Sequence, residues 1–159
     1  MNLSSLVDKL GRIDDASNAS RLLDQAAITD GALESLLERA TAALAESPQE
    51  AVHLTEIALE LVRRRSDHPV ASAAWRLRGQ ALRVVGRHSD AVAALDQAAE
   101  AARSAGNPRL AAQAQIGKID SLGWLGRYQE ATNTAKRLET ELLALGAPED
   151  AAKALVNLG

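Results

Sequence analysis

The sequence predicts an all-α chain built from stacked, antiparallel helix pairs, and three observations lead there. The apolar residues are mostly Ala and Leu, with no Phe, one Tyr and two Trp; Ala and Leu favour helices, whereas aromatic and β-branched residues favour strands. They recur at helical spacing, as in Leu33, Leu36, Leu37, Ala40 and Leu44. The punctuation recurs every forty residues. GRHSDA at 86–91 returns as GRYQEA at 126–131. Ala51, Ala91 and Ala131 share one register, as do Ala58, Ala98 and Leu138. Gly106-Asn107-Pro108 returns as Gly146-Ala147-Pro148, and Gly159 falls in the register of Gly79. Self-similarity at a fixed period is the signature of a repeated structural unit.

The elements run in order. Within residues 1–30, SSLVDKLGRI and ASRLLDQAAI read as short amphipathic helices, an N-terminal helical cap over the apolar face of Leu33, Leu36, Ala40 and Leu44. Residues 31–159 read as three helix pairs plus the first helix of a fourth. The first pair breaks at SPQE. Ser47 is a good N-cap, Pro48 fits the first helical position and Glu50 completes a capping box. Its second helix runs to about Arg65, with Arg63, Arg64 and Arg65 at the negative end of the helix dipole. The second pair starts at Pro69, breaks at Gly86 and resumes from His88 to Ser104. Gly106 caps it and Pro108 opens the third pair, which breaks at Gly126 and ends near Gly146. Pro148 opens a last helix, cut off at Gly159. Short loops force antiparallel neighbours, and the alanines in register let helix backbones approach closely. The result is a right-handed stack in which each pair covers the next. Cut at Gly159, Leu155, Val156 and Leu158 have no following helix over them, which predicts weak self-association through an open C-terminal end and a chain that is the N-terminal piece of a longer protein.

Composition narrows the function. The 159 residues are 47% apolar and 25% charged, enough for one domain with a core. The absence of Cys excludes disulfides, thiolate metal sites and Cys nucleophiles within the chain. The N-terminus lacks a basic start followed by an apolar run, and no apolar stretch reaches the roughly 20 residues that span a bilayer. The expectation is a soluble, cytoplasmic protein without membrane contact. The net charge of −3 is unevenly spread: residues 1–60 are acidic, whereas residues 61–88 carry seven Arg against Asp67 alone. That segment is either a solvated positive face or a patch for an acidic partner. With an acidic chain overall and no aromatics between the arginines, nucleic acid is not the expected partner.

These positions resemble the tetratricopeptide repeat. Trp75, Gly79, Leu82, Gly86, Ala91, Leu95 and Ala98 match the family's pattern, with Arg78 where the family has Leu. Leu122, Gly126, Tyr128 and Ala131 match in the third pair, where Gln115 and Ile119 replace Trp and Gly, and NLG at 157–159 matches in the fragmentary fourth. The resemblance covers about residues 32–159 and implies a right-handed α-solenoid of antiparallel helix pairs. The forty-residue period, AGNP-like joints and Leu-rich opening are similar to the arrays that precede the caspase-like CHAT domain of bacterial proteins. That likeness implies the regulatory or sensor arm of a larger effector. The alternative is a free-standing adaptor or chaperone-like protein that binds one peptide.

Chemistry-bearing residues are few. His53, His68 and His88 lack ligand spacing and acidic neighbours for a metal site. SDH at 66–68 cannot form a triad from adjacent residues, and no Gly-rich phosphate loop with Lys occurs. No cofactor is implied, and the chain itself is not expected to be an enzyme; any catalytic domain would lie beyond residue 159. What remains is a surface. The family's first helices line a concave groove, and by register that groove carries Arg76, Gln80, Arg83 and Val84, then Gln113, Ile116, Asp120 and Trp124, then Lys153. Its arginines suit an acidic side chain or terminal carboxylate of a protein or peptide partner. Trp124 either supplies apolar contact there or packs into the core, and packing is the expectation.

Overall fold

The computed structural model describes residues 30–64 and 70–158, together with Ser5, 8–10, Arg12, Ile13, Asn18 and Arg21. Most of the expected N-terminal cap, Arg65, Pro69 and Gly159 lie outside the described residues. Seven helices lie within 30–64 and 70–158: α1 Asp30–Glu46, α2 Pro48–Arg64, α3 Ala71–Val84, α4 His88–Ser104, α5 Pro108–Trp124, α6 Tyr128–Ala144 and α7 Pro148–Val156. Each packs on the next. Further contacts join α1 to α3, α3 to α5 and α5 to α7, so the odd-numbered helices form a continuous layer. Among the described residues no helix is long and apolar enough to cross a membrane.

The duplicated Gly-Arg stretch has a local cause. A helix end leaves carbonyls without partners, and a residue in the left-handed region lets the chain fold back and supply donors. At the end of α3, Gly86 has φ +78°. Its N–H donates to the Arg83 carbonyl at 3.0 Å, and the Arg87 N–H donates to the Leu82 carbonyl at 2.8 Å. The same bond pair closes α4, α5 and α6 around Gly106, Gly126 and Gly146. The Arg next in sequence starts the next helix. Arg87 Nε donates to Asp90 at 2.8 Å, and Arg127 Nε donates to Glu130 at 2.9 Å. This pairing holds the first turn in place of a side-chain cap, which neither arginine provides. The closing Ala91 and Ala131 are buried, as is Ala51. Gly-Arg-x-x-acid-Ala is thus a stop, a staple and a packing contact in six residues.

Two local expectations are revised. Ser47 and Glu50 do not form a capping box. The Ser47 N–H is taken by the Ala43 carbonyl at 2.8 Å, and Glu50 Oε1 accepts from Arg39 Nε at 3.1 Å and Nη2 at 2.9 Å. With one residue between α1 and α2, the helix ladder uses the donor that the box needs. The first helix of the second pair begins at Ala71 after Val70, and Pro69, where the pair was expected to start, lies outside the described residues.

Small residues set the packing distances. A Cβ on Gly79 would lie 2.6 Å from Leu95 Cγ, so only glycine lets α3 sit this close to α4. Ala98, Ala99 and Ala102 of α4 meet Ala111 and Ala114 of α5 in one buried cluster. Larger side chains fill both ends. Leu33, Leu36, Leu54 and Leu77 pack with Leu10 of the N-terminal segment, and Ile119, Leu122, Leu138 and Leu142 pack with Ala147, Ala151 and Ala154. Where the family pattern has Leu, Arg78 crosses to α2 and donates to the Val52 carbonyl at 3.2 Å; burial draws its guanidinium below the ordinary value, with Glu56 opposing. Gln115, in the place of the family's Trp, is also buried. Its Nε2 donates to Asp96 at 2.9 Å, and Lys118 Nζ lies 2.8 Å from the same carboxylate.

Two helical glycines should respond oppositely to alanine. Gly79→Ala forces Leu95 aside, an overpacking cost of about 1–3 kcal/mol that outweighs a helix-propensity gain of up to about 1 kcal/mol. Gly123→Ala meets nothing within 4 Å and should be neutral or stabilising. Urea unfolding midpoints should fall for the first and not for the second. A Gly79→Ala midpoint at or above that of the parent would mean that Leu95 yields without cost.

Candidate functional site

Two depressions adjoin each other, one within the odd-helix layer and one between that layer and α6. The first is a cleft of about 340 Å³ where α3, α5 and α7 meet. Arg76, Gln80 and Arg83 line it from α3, one face of that helix at spacings of four and three. Gln113, Ala114, Ile116 and Gly117 line it from α5, Asp150 and Lys153 from α7 with Asn157 just past its end, and Leu95 of α4 completes the wall. Arg76, Gln80, Arg83, Gln113, Ile116 and Lys153, expected on one surface from register, therefore share one cleft. Asp120 and Trp124 belong to the neighbouring depression. Val84 lies at the end of α3, exposed, and lines neither.

Charge in the cleft is unevenly satisfied. Arg83 Nη1 donates to Asp120 Oδ2 at 3.0 Å, a half-exposed bridge between α3 and α5. Among the described residues Arg76 has no carboxylate partner. Asp150, absent from the sequence-based set, is the most engaged acid. It accepts from Gln113 Nε2 at 2.6 Å, Lys153 Nζ at 3.0 Å and Arg109 Nη2 at 3.4 Å. These donors, Gln113 foremost, hold its carboxyl below the usual carboxylate range against the opposing effect of burial. Asp150 has little charge left to offer a ligand. Lys153 and Gln113 are spent on Asp150 and Arg83 on Asp120, so the cation the cleft offers without a carboxylate partner among the described residues is the Arg76 guanidinium, a group suited to binding a carboxylate.

The second depression, of about 460 Å³, lies between α5 and α6. Ile119, Gly123 and Trp124 form one side, Tyr128 and Ala131 the other, with Asn157 and Leu158 at its lower end. Trp124 is 72% exposed, which corrects the expectation that it packs into the core. One ring face stacks on His88, centroids 5.5 Å apart and planes 6° apart, and among the described residues no element covers the rest. Tyr128, Gly123, Asn157 and Leu158 were not placed in the groove from sequence: Tyr128 and Asn157 entered only as repeat matches and Leu158 as an uncovered apolar residue, and Gly123 carried no signal. Asn157 Nδ2 donates to the Ile116 carbonyl at 3.1 Å, a contact between residues 41 positions apart that no local pattern announces.

The depressed Asp150 carboxyl makes stability depend on pH. The group takes up its proton less readily folded than unfolded, so its contribution is complete above the unfolded value near 4 and is lost as pH falls through the depressed folded value. Asp150→Asn removes a charge-assisted contact between α5 and α7 and should cost about 1.5–3 kcal/mol at neutral pH. Unfolding free energies measured from pH 6 to pH 2 should converge for parent and variant as pH falls. A constant gap across that range would place the effect of the substitution elsewhere. Compared with known proteins, the chain matches no family model, no curated protein and no solved structure.

Proposed function

We propose that the chain is a protein-interaction scaffold, a right-handed solenoid of tetratricopeptide type whose odd-helix layer holds an extended, acidic segment of a partner protein. One observation carries the reading. Arg76, Arg83 and Lys153 come from two separate helices to one cleft that a third helix floors; Asp120 and Asp150 engage Arg83 and Lys153, which leaves the Arg76 guanidinium without a carboxylate partner among the described residues. A cleft built from different elements keeps its geometry only while those elements stay packed, which favours a preorganised binding site over a chance grouping of exposed charges. The amide group of Gln80 stands in the same cleft, where it can pair with a peptide backbone. The likeness to the arrays that precede CHAT domains assigns the scaffold the part of a regulatory or sensor arm, with chemistry elsewhere.

Binding of a synthetic glutamate-rich hexapeptide tests this against the same peptide with glutamine. The glutamate peptide should bind more tightly, and its affinity should fall as salt rises through the physiological range. Arg76→Ala should weaken it about tenfold, equivalent to about 1.4 kcal/mol, while leaving the unfolding midpoint unchanged because no described carboxylate pairs with Arg76. Equal affinity for the two peptides, or an Arg76→Ala variant that binds as the parent does, would remove the cleft from consideration.

A further inference from the structure

The forty-residue period sets two pairs of opposite charges in the same register. Glu56 and Asp96 stand on α2 and α4, and Arg78 and Lys118 stand on the helices that follow them, α3 and α5. The two cations are about equally withdrawn from solvent, with side chains 17% and 13% exposed. They are not equally satisfied. Lys118 Nζ lies 2.8 and 3.0 Å from the two Asp96 oxygens, and Gln115 Nε2 donates to the same carboxylate at 2.9 Å. Arg78 Nη2 lies 3.9 Å from Glu56, beyond hydrogen-bond reach, and no other carboxylate among the described residues bridges it. Its Nη1 is spent on the Val52 carbonyl, which leaves the Nε and Nη2 donors without a hydrogen bond to any described residue. In the register of Gln115 stands Trp75, an indole where the other pair has a second donor.

Arg78 opens onto a cavity of about 320 Å³ whose lining residues all lie between 75 and 97, on the α3–α4 hairpin. It shares none of them with the cleft around Arg76 or with the depression beside Trp124. Trp75, Leu82, Ala93 and Ala94 give it an apolar surface, and the Gln97 amide adds a polar group. Arg87 and Asp90 also border it, but they hold each other at 2.8 Å and so present little net charge. The charge that dominates the cavity is therefore that of Arg78. A guanidinium drawn out of water with no carboxylate on its free edge is held at a cost, and burial works against its charge here. A second carboxylate placed on that edge would relieve the cost, because Nε and Nη2 form a fork that matches two carboxylate oxygens.

We propose that this cavity is a binding site for a small organic carboxylate with an aliphatic body, its carboxylate on the free edge of Arg78 and its body against Trp75, Leu82 and Ala94. The unequal satisfaction of two cations in one register carries the proposal. Where the acid belongs to the chain, as at Asp96, the cation is closed off; where it stands too far, as at Glu56, a cavity with apolar walls lies beside it. The size favours a free acid over a segment of a protein, since the volume is at the small end of ligand pockets and suits a body of a few carbons. The site needs nothing from Arg76, so it stands or falls separately from the peptide-binding reading of the cleft.

The probe is hexanoate, with hexanamide as the uncharged control, read by the Trp75 indole N–H signal in NMR spectra of the isotope-labelled chain. The Trp124→Phe variant tells that signal from the other indole. Hexanoate should shift it saturably, and hexanamide should bind about tenfold more weakly. Glu56→Gln removes the acid that competes for Arg78 and should tighten hexanoate binding severalfold. Ala93→Leu fills the cavity from an exposed position, so the unfolding midpoint should hold while binding falls about tenfold. Arg76→Ala should leave hexanoate binding unchanged. The proposal is overturned if hexanoate gives no saturable shift, if hexanamide binds equally, if Glu56→Gln weakens binding, if folded Ala93→Leu binds like the parent, or if Arg76→Ala weakens binding as strongly. Tighter binding of acetyl-Leu-Glu-Leu-amide than of hexanoate at the same signal would give the site to an acidic side chain of a protein and also overturn it.

Discussion

An α-helix ends cleanly only when its last carbonyls find donors, and in this chain that requirement organises the packing of the helices. A left-handed glycine answers it at residues 86, 106, 126 and 146, each time with the same two backbone bonds. The residue whose carbonyl closes the turn is buried at all four: Leu82, Ala102, Leu122 and Leu142. Stop and core are therefore linked, since the turn that ends a helix also anchors its last inward side chain. Even spacing of the stops makes α4, α5 and α6 equal in length, so their ends align and their inward faces meet along the full helix. A loop of three residues then leaves no arrangement but antiparallel neighbours.

Given aligned helices of equal length, side-chain volume decides how closely they approach. One buried cluster of the α4–α5 contact is alanine throughout, and the α3–α4 contact includes Gly79 against Leu95. Close backbones leave little room between layers, so polar groups trapped there are held by short, specific bonds. The Ser72 hydroxyl donates to the Ala98 carbonyl at 2.9 Å, and Gln115 and Lys118 share Asp96. Each such group would be costly without its partner. They act as register pins in a core that is otherwise smooth and small-featured, where alanine alone would allow a helix to slide.

The surface depends on the same geometry. Odd-numbered helices lie side by side, so residues far apart in the chain line one cleft. The register of Arg76, Arg83, Gln113 and Lys153 was legible because helical periodicity and the recurring punctuation specify which face each side chain takes. What those side chains do to one another was not legible. Asp120 was expected on the groove face, and it is held by Arg83. Asp150 carried no pattern, yet it gathers three donors from two helices. Trp124 looked like a core residue because large aromatics usually bury themselves, but burial needs an element on the far side, and here His88 covers one face only.

By itself the sequence determined where the helices stop, which faces are apolar and which positions must stay small. Those properties are local: a left-handed turn needs glycine, a staple needs opposite charges three residues apart, and an inward stripe needs a spacing of three or four. The expected capping box at Ser47 shows the limit of even local patterns, because the α1 ladder claimed the donor on which the box depended. Only the tertiary structure decided the partner of each surface charge and the exposure of Trp124 and Tyr128. These depend on distances between groups about forty residues apart. Periodicity assigns a side chain to a face, but the neighbour across that face is set by packing.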